Sequence, residues 1–224
     1  AASAAYHMPV ALRLRGRLAR EALKATLDRL VVRHENLRTR FVAIDGTPAQ
    51  TIGPAEQGFD LVEEDLSALS GDAREAAVAE RGLAEAHALF DLATGPLVRG
   101  RLLRLAEDEH VLLVTQHHIV SDGWSLGVLV KEVTALYAAF SQGQDDPLPP
   151  LAIQYADYAA WQRQWLQGET LQQEIEFWRE RLSGAPALLE LPTDRTRPAA
   201  QSYAGDRFDL QFPPALTAAL SALS

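Results

Sequence analysis

The sequence predicts an α/β fold, and three patterns carry that prediction. Apolar residues alternate with others at Val10, Leu12 and Leu14, the period of a half-buried strand. Leu23, Leu27, Leu30 and Val31 then recur at helical spacing on one face. Finally, the apolar run at 111–114 reads as a strand buried on both faces, and a turn at 121–123 separates it from a second amphipathic helix at 124–140.

The remaining elements fall between these. The first helix is expected to end near His34. Residues 37–44 and 49–52 flank Asp45-Gly46-Thr47-Pro48, the turn signal of a hairpin. Residues 60–66 form another short strand. The Ala- and Glu-rich stretch 72–89 is helical in pattern, and its charges from Asp72 through Glu85 read as a solvated face. Gly95-Pro96 breaks the chain before a strand at 97–105, and residues 107–109 turn into the next at 110–118. A Gly-, Asp- and Pro-rich loop at 142–151 precedes two aromatic-rich helices, 154–167 and 170–182. Tyr158, Trp161 and Trp165 there are expected to pack between helices. A linker at 191–202, a strand at 207–212 and a helix from Pro213 complete the chain.

With 47% hydrophobic and 23% charged residues, the composition is that of a folded globular chain. No apolar stretch approaches the roughly twenty residues of a membrane helix, and the start of the chain lacks a secretory signal pattern. A cytoplasmic protein that engages no membrane is expected. The 21 basic and 30 acidic residues give a net charge of −9, which disfavours a nucleic-acid partner. The absence of cysteine removes disulfides, thiolate metal sites and a Cys nucleophile. Imidazole chemistry rests on six histidines.

Chemistry-bearing residues concentrate at 116–127. His117 and His118 are adjacent at a predicted strand end, so their rings point to opposite sides and do not form a joint metal site. Only one of them can enter a given cleft. Gly123 follows at a helix start, where a backbone N–H favours developing negative charge. An imidazole with a backbone donor suits acyl transfer, while two histidines packed at a strand end have no chemical role. Both readings stand on these residues alone.

The segment Gly123-Trp124-Ser125-Leu126-Gly127 is also a literal G-x-S-x-G between a strand and a helix. In hydrolases with that nucleophile elbow the acid and then the histidine follow the serine. Here every histidine (7, 34, 87, 110, 117 and 118) precedes it. Chain order therefore argues against a hydrolase, and Ser125 is expected to cap the helix or pack near its start.

Gln116-His117-His118-Ile119-Val120-Ser121-Asp122-Gly123-Trp124-Ser125 resembles the HHxxxDG signature of condensation domains of nonribosomal peptide synthetases. Related acyltransferases share that signature or its core, and two further segments narrow the resemblance. Arg33-His34-Glu35-Asn36-Leu37-Arg38-Thr39-Arg40-Phe41 resembles RHExLRTxF, and Tyr155-Ala156-Asp157-Tyr158-Ala159-Ala160-Trp161 resembles YxDYAxW. The resemblance implies a chloramphenicol acetyltransferase-like lobe with a mixed sheet covered by helices. The family's opening SxAQxR segment and its later motifs do not occur. It therefore implies an amino-terminal lobe over 1–190, then a linker and the start of a second lobe over 191–224.

The resemblance further implies amide formation between two substrates held as thioesters on the phosphopantetheine arms of donor and acceptor peptidyl carrier proteins, beside an adenylation domain. No cofactor or metal is implied for the chain itself. His118 carries over as the catalytic histidine and Gly123 N–H as the oxyanion donor. His117 and Asp122 support the site, and Asp122 is expected to form an ion pair with Arg38, or failing that Arg33. HHIVSDGWSLG looks closer to domains that take an L-configured donor than to the D-donor type, HHxxGDGWS. The resemblance also implies that this lobe alone is inactive. Two alternatives are a stand-alone HHxxxDG acyltransferase and a lobe that only docks carrier proteins.

Overall fold

A computed structural model describes residues 3–196, 198–200, 203, 208 and 210–223. The chain divides into two units, with the boundary between Leu188 and Leu189.

The first unit is built on a four-stranded mixed sheet in the order β1 (His7–Arg15), β6 (Glu109–His117), β5 (Val98–Ala106), β4 (Asp60–Asp65). β6 runs antiparallel to both neighbours, and β4 pairs in parallel with β5. Position decides composition here. Central β6 is buried along most of its length and apolar at Val111–Val114, whereas β1 at the edge alternates.

Helices cover both faces. α1 (Arg20–Arg33) and α3 (Gly123–Phe140) lie on one, where Leu23, Leu27, Leu30 and Leu136 meet Val98, Leu102 and Leu112. α2 (Gly71–His87) covers the other, packing Ala77 and Val78 on Leu103, Leu105, Val111 and Leu113. Even-numbered residues of β5 and β6 thus face α1 and α3, and odd-numbered ones face α2, as the two-residue period requires. Gly100 sits where the sheet leaves no room for a side chain: a Cβ there would lie 2.9 Å from the Leu113 carbonyl oxygen and 3.0 Å from the Phe59 ring.

A separate hairpin, β2 (Thr39–Ile44) with β3 (Thr47–Ile52), turns through Asp45 and Gly46, both at positive φ. It begins two residues later than the sequence pattern predicts, because Glu35–Arg38 form a 3-10 turn. The charged run on α2 is not wholly solvated. Glu85 is 7% exposed and ion-paired with Arg99 and Arg101 of β5. Such a pair links residues distant in sequence, so charge pattern on the helix alone does not reveal it. Tyr158, Trp161 and Trp165 of α4 (Tyr155–Trp165) do not pack between helices. They stack on one another in an exposed row, Trp161 on Trp165 with centroids 5.6 Å apart. α5 (Gly168–Arg181) follows.

In the second unit, α6 spans Pro214–Leu223. The strand expected at 207–212 lies partly outside the described residues, and Phe208, Leu210, Gln211 and Phe212 carry no strand. Among the described residues no helix is long and apolar enough to cross a membrane.

Candidate functional site

β6 ends one residue earlier than predicted, at His117, and the chain turns through His118, Ile119 and Val120. Val120 N–H donates to the His117 carbonyl (3.0 Å) and closes the turn. His117 N–H donates to Leu97 O (2.9 Å) and His118 N–H to Tyr6 O (2.8 Å), tying the strand end to the chain before β5 and before β1. The two rings therefore part because one residue finishes a strand and the next occupies a turn corner.

His117 is 6% exposed, among Tyr6, His7 and Phe90. Its Nδ1 accepts from Ile119 N–H (3.1 Å), so a neutral ring carries its proton on Nε2. His7 Nδ1 donates to Ala86 O (2.8 Å). Burial first, and then the neighbouring His7 and His118, push His117 below the ordinary imidazole pKa. Its surroundings favour the uncharged ring. His118 is exposed and lines a cavity of about 210 Å³ with Asn36, Ser121, Asp122 and Tyr155. Asn36 and Ser121 also border a second cavity, of about 130 Å³, lined by His34, Trp124 and Leu129.

Asp122 corrects the sequence reading. It is exposed at the N-cap of α3, and its Oδ1 accepts from Ser125 N–H (2.8 Å) and Ser125 Oγ–H (2.6 Å). These bonds hold its carboxyl below the usual carboxylate range. No guanidinium reaches it among the described residues. Arg38 donates to Gly53 O (2.5 Å) and approaches Glu35, while Arg33, 8% exposed, donates to Glu132 (3.0 Å) and to Pro149 O (2.6 Å). The expectation of an ion pair assumed a desolvated carboxylate. At an exposed helix start, the first-turn N–H groups and the helix dipole supply the positive partner. Ser125, in turn, is not the cap; it donates to the cap.

Gly123 is the first residue of α3. Its N–H belongs to the helix's first turn, where it has no intrahelical acceptor. The structure thus brings His118, Asp122 and the α3 N-terminus together on one short stretch, with Arg33 and Arg38 placed elsewhere.

Sequence reasoning missed Asn36, Glu132 and Gln154. Asn36 Nδ2 donates to Val120 O (2.7 Å). Glu132, 9% exposed, takes Arg33 Nε on Oε1 and His34 Nε2 on Oε2 (2.6 Å). Gln154 accepts from Glu35 N–H (3.2 Å) and donates to Arg33 O (2.9 Å). A signal for Glu132 existed, since one acid stands among Leu129, Val133 and Leu136 on the apolar stripe of α3.

Known proteins resemble this chain in sequence and in fold. The Condensation domain family model matches residues 1–224. Malpinin synthetase of Mortierella alpina is 48% identical over 219 residues, and a linear gramicidin synthase of Brevibacillus parabrevis is 47% identical. Each match covers 98% of this chain and 3% of the synthetase. The X-domain from teicoplanin biosynthesis aligns with a TM-score of 0.74 at 39% identity, over 88% of this chain and 43% of that one. SgcC5 from Streptomyces globisporus aligns at 0.66 and 34%, over 85% and 42%. The chain therefore spans a small fraction of the synthetases and less than half of the solved domains. Its mixed sheet between helices is the chloramphenicol acetyltransferase-like arrangement of those domains. By sequence, fold and family model alike, this chain belongs to the condensation-domain family of the nonribosomal peptide synthetases.

Proposed function

We propose that this chain is the amino-terminal lobe, over 1–190, of a domain that joins two acyl groups, each carried as a phosphopantetheine thioester, through an amide bond. The observation that carries this reading is the exposed His118 at a clamped turn corner, five residues before the first amide of α3. The acceptor amine attacks the donor thioester carbonyl, the C–N bond forms, and the C–S bond breaks to release the carrier's thiol. An α-amine titrates near 7.7–8.0 and is largely protonated at neutral pH. An imidazole beside it takes that proton or orients the lone pair, and we assign this role to His118. We assign Gly123 N–H to the tetrahedral oxyanion, where an unpaired first-turn amide is most useful.

Donor and acceptor carrier proteins are the partners in this reading, the protein acts in the cytoplasm beside an adenylation domain, and the chain holds no cofactor of its own. An L-configured donor fits Ser121, the residue that is glycine in the HHxxGDGWS pattern and that borders both cavities near His118. Residues 191–224 hold the linker and the start of a second lobe, and the first lobe alone is expected to be inactive because neither thioester arm is enclosed. The test mixes the full-length protein with aminoacyl-loaded donor and acceptor carriers and weighs the carriers by intact mass spectrometry. A dipeptidyl acceptor carrier is expected, and its absence under saturating loading would refute the reading.

A further inference from the structure

We infer that Asn36 is a positioning residue for the reaction, fixing the separation between the His118 imidazole and the amides at the start of α3. The inference rests on the amide-forming reading above. Asn36 occupies the variable place of the RHExLRTxF segment, so the segment's pattern assigns it nothing.

Its Nδ2 lies 2.7 Å from the Val120 carbonyl oxygen. A carbonyl only accepts, so the amide must present its NH2 there, and the orientation of the side chain is determined. Val120 is the last residue of the turn that holds His118 at its first corner, and the peptide after it leads through Ser121 to the Asp122 cap. Fixing that peptide plane sets how far α3 begins from His118.

The two ends of the turn are held differently. Its strand end is tied by the bonds to Leu97 O and Tyr6 O. At its far end, Asn36 makes the one side-chain hydrogen bond from another element to the backbone of residues 117–120 among the described residues. Asn36 itself stands on a fixed platform. His34 is bonded to Glu132 of α3, Glu35 N–H to Gln154, and Thr39 Oγ to Glu35 O (2.8 Å).

Asn36→Asp keeps the shape and removes the donor, and Asn36→Leu removes it with an apolar side chain of similar size. In the full-length protein both should lower kcat for amide formation on the order of tenfold to a hundredfold, the scale of a small misplacement of reacting groups. KM for the loaded carriers should stay within about twofold. Asn36→Gln, which keeps the donor, should recover part of the loss. Hydrogen exchange read by mass spectrometry should quicken over residues 117–123 in the Asp and Leu variants and remain unchanged over 109–116. Wild-type kcat in both donor-lacking variants would overturn the inference, as would failure of both to fold, which would make Asn36 a residue of the fold. If the unaltered protein forms no amide, the functional reading fails on its own, and the exchange measurement still decides whether Asn36 holds the turn.

Discussion

Asp122 caps α3 and His117 is buried at the end of β6, and each makes its own prediction. As a helix cap, Asp122 needs only a side-chain acceptor for Ser125 N–H, which asparagine also supplies. Asp122→Asn should therefore keep the melting temperature of the domain close to its original value, while Asp122→Ala should lower it. Equal damage from the two would point to a required charge and would restore the ion-pair reading. His117 and His110 are both buried, and burial depresses both imidazoles. Below about 6.5 the unfolded chain binds protons that the folded one refuses. Stability is thus fully present above that value and falls as pH drops through it. Corrected for intrinsic rates, hydrogen-exchange protection of residues 109–117 should decline between about pH 6.5 and 5.5, where carboxylates do not yet titrate. Protection that is flat or rising over that window would contradict the assignment.

At the scale of elements, the buried contacts of Glu132 with Arg33 and His34 join α3 to the end of α1 and to the 3-10 turn before β2. Removing one partner of such a pair leaves the other charge buried, a loss of about 3–5 kcal/mol. Glu132→Ala should destabilise the domain on that scale in denaturant titration, and Glu132→Gln, which still accepts a hydrogen bond, should cost less. A loss below about 0.5 kcal/mol for Glu132→Ala, the level of an ordinary surface substitution, would show that the pair holds nothing together. These elements also show what is readable in advance. Periodicity places β1, α1 and α3, and turn signals with an apolar run place β5 and β6, all within a few residues, because each of these signals is local. The hairpin start escapes the pattern, since a 3-10 turn has no period of its own over four residues. The histidine pair and the α3 start are legible as a motif. Asn36, Gln154 and the true partners of Arg33 and Arg38 are not, because their bonds link segments 84–121 residues apart or end on backbone carbonyls that carry no sequence signature.

For the whole molecule, the sheet and its helices serve as a frame that presents one turn. β6 ends with His117 in the core, the turn after it puts His118 at the surface, α3 brings its first amides beside that turn, and the 33–39 segment braces the junction. The proposed function requires that His118, and not its buried neighbour, handles the reacting amine. The decisive measurement is single-turnover amide formation between loaded carriers for the full-length protein and its His118→Ala variant. General-base removal is worth about 10²–10⁴ in rate, so the variant should lose at least a hundredfold while keeping its melting temperature. A folded His118→Ala variant that forms the amide at the original rate would rule out that role for His118.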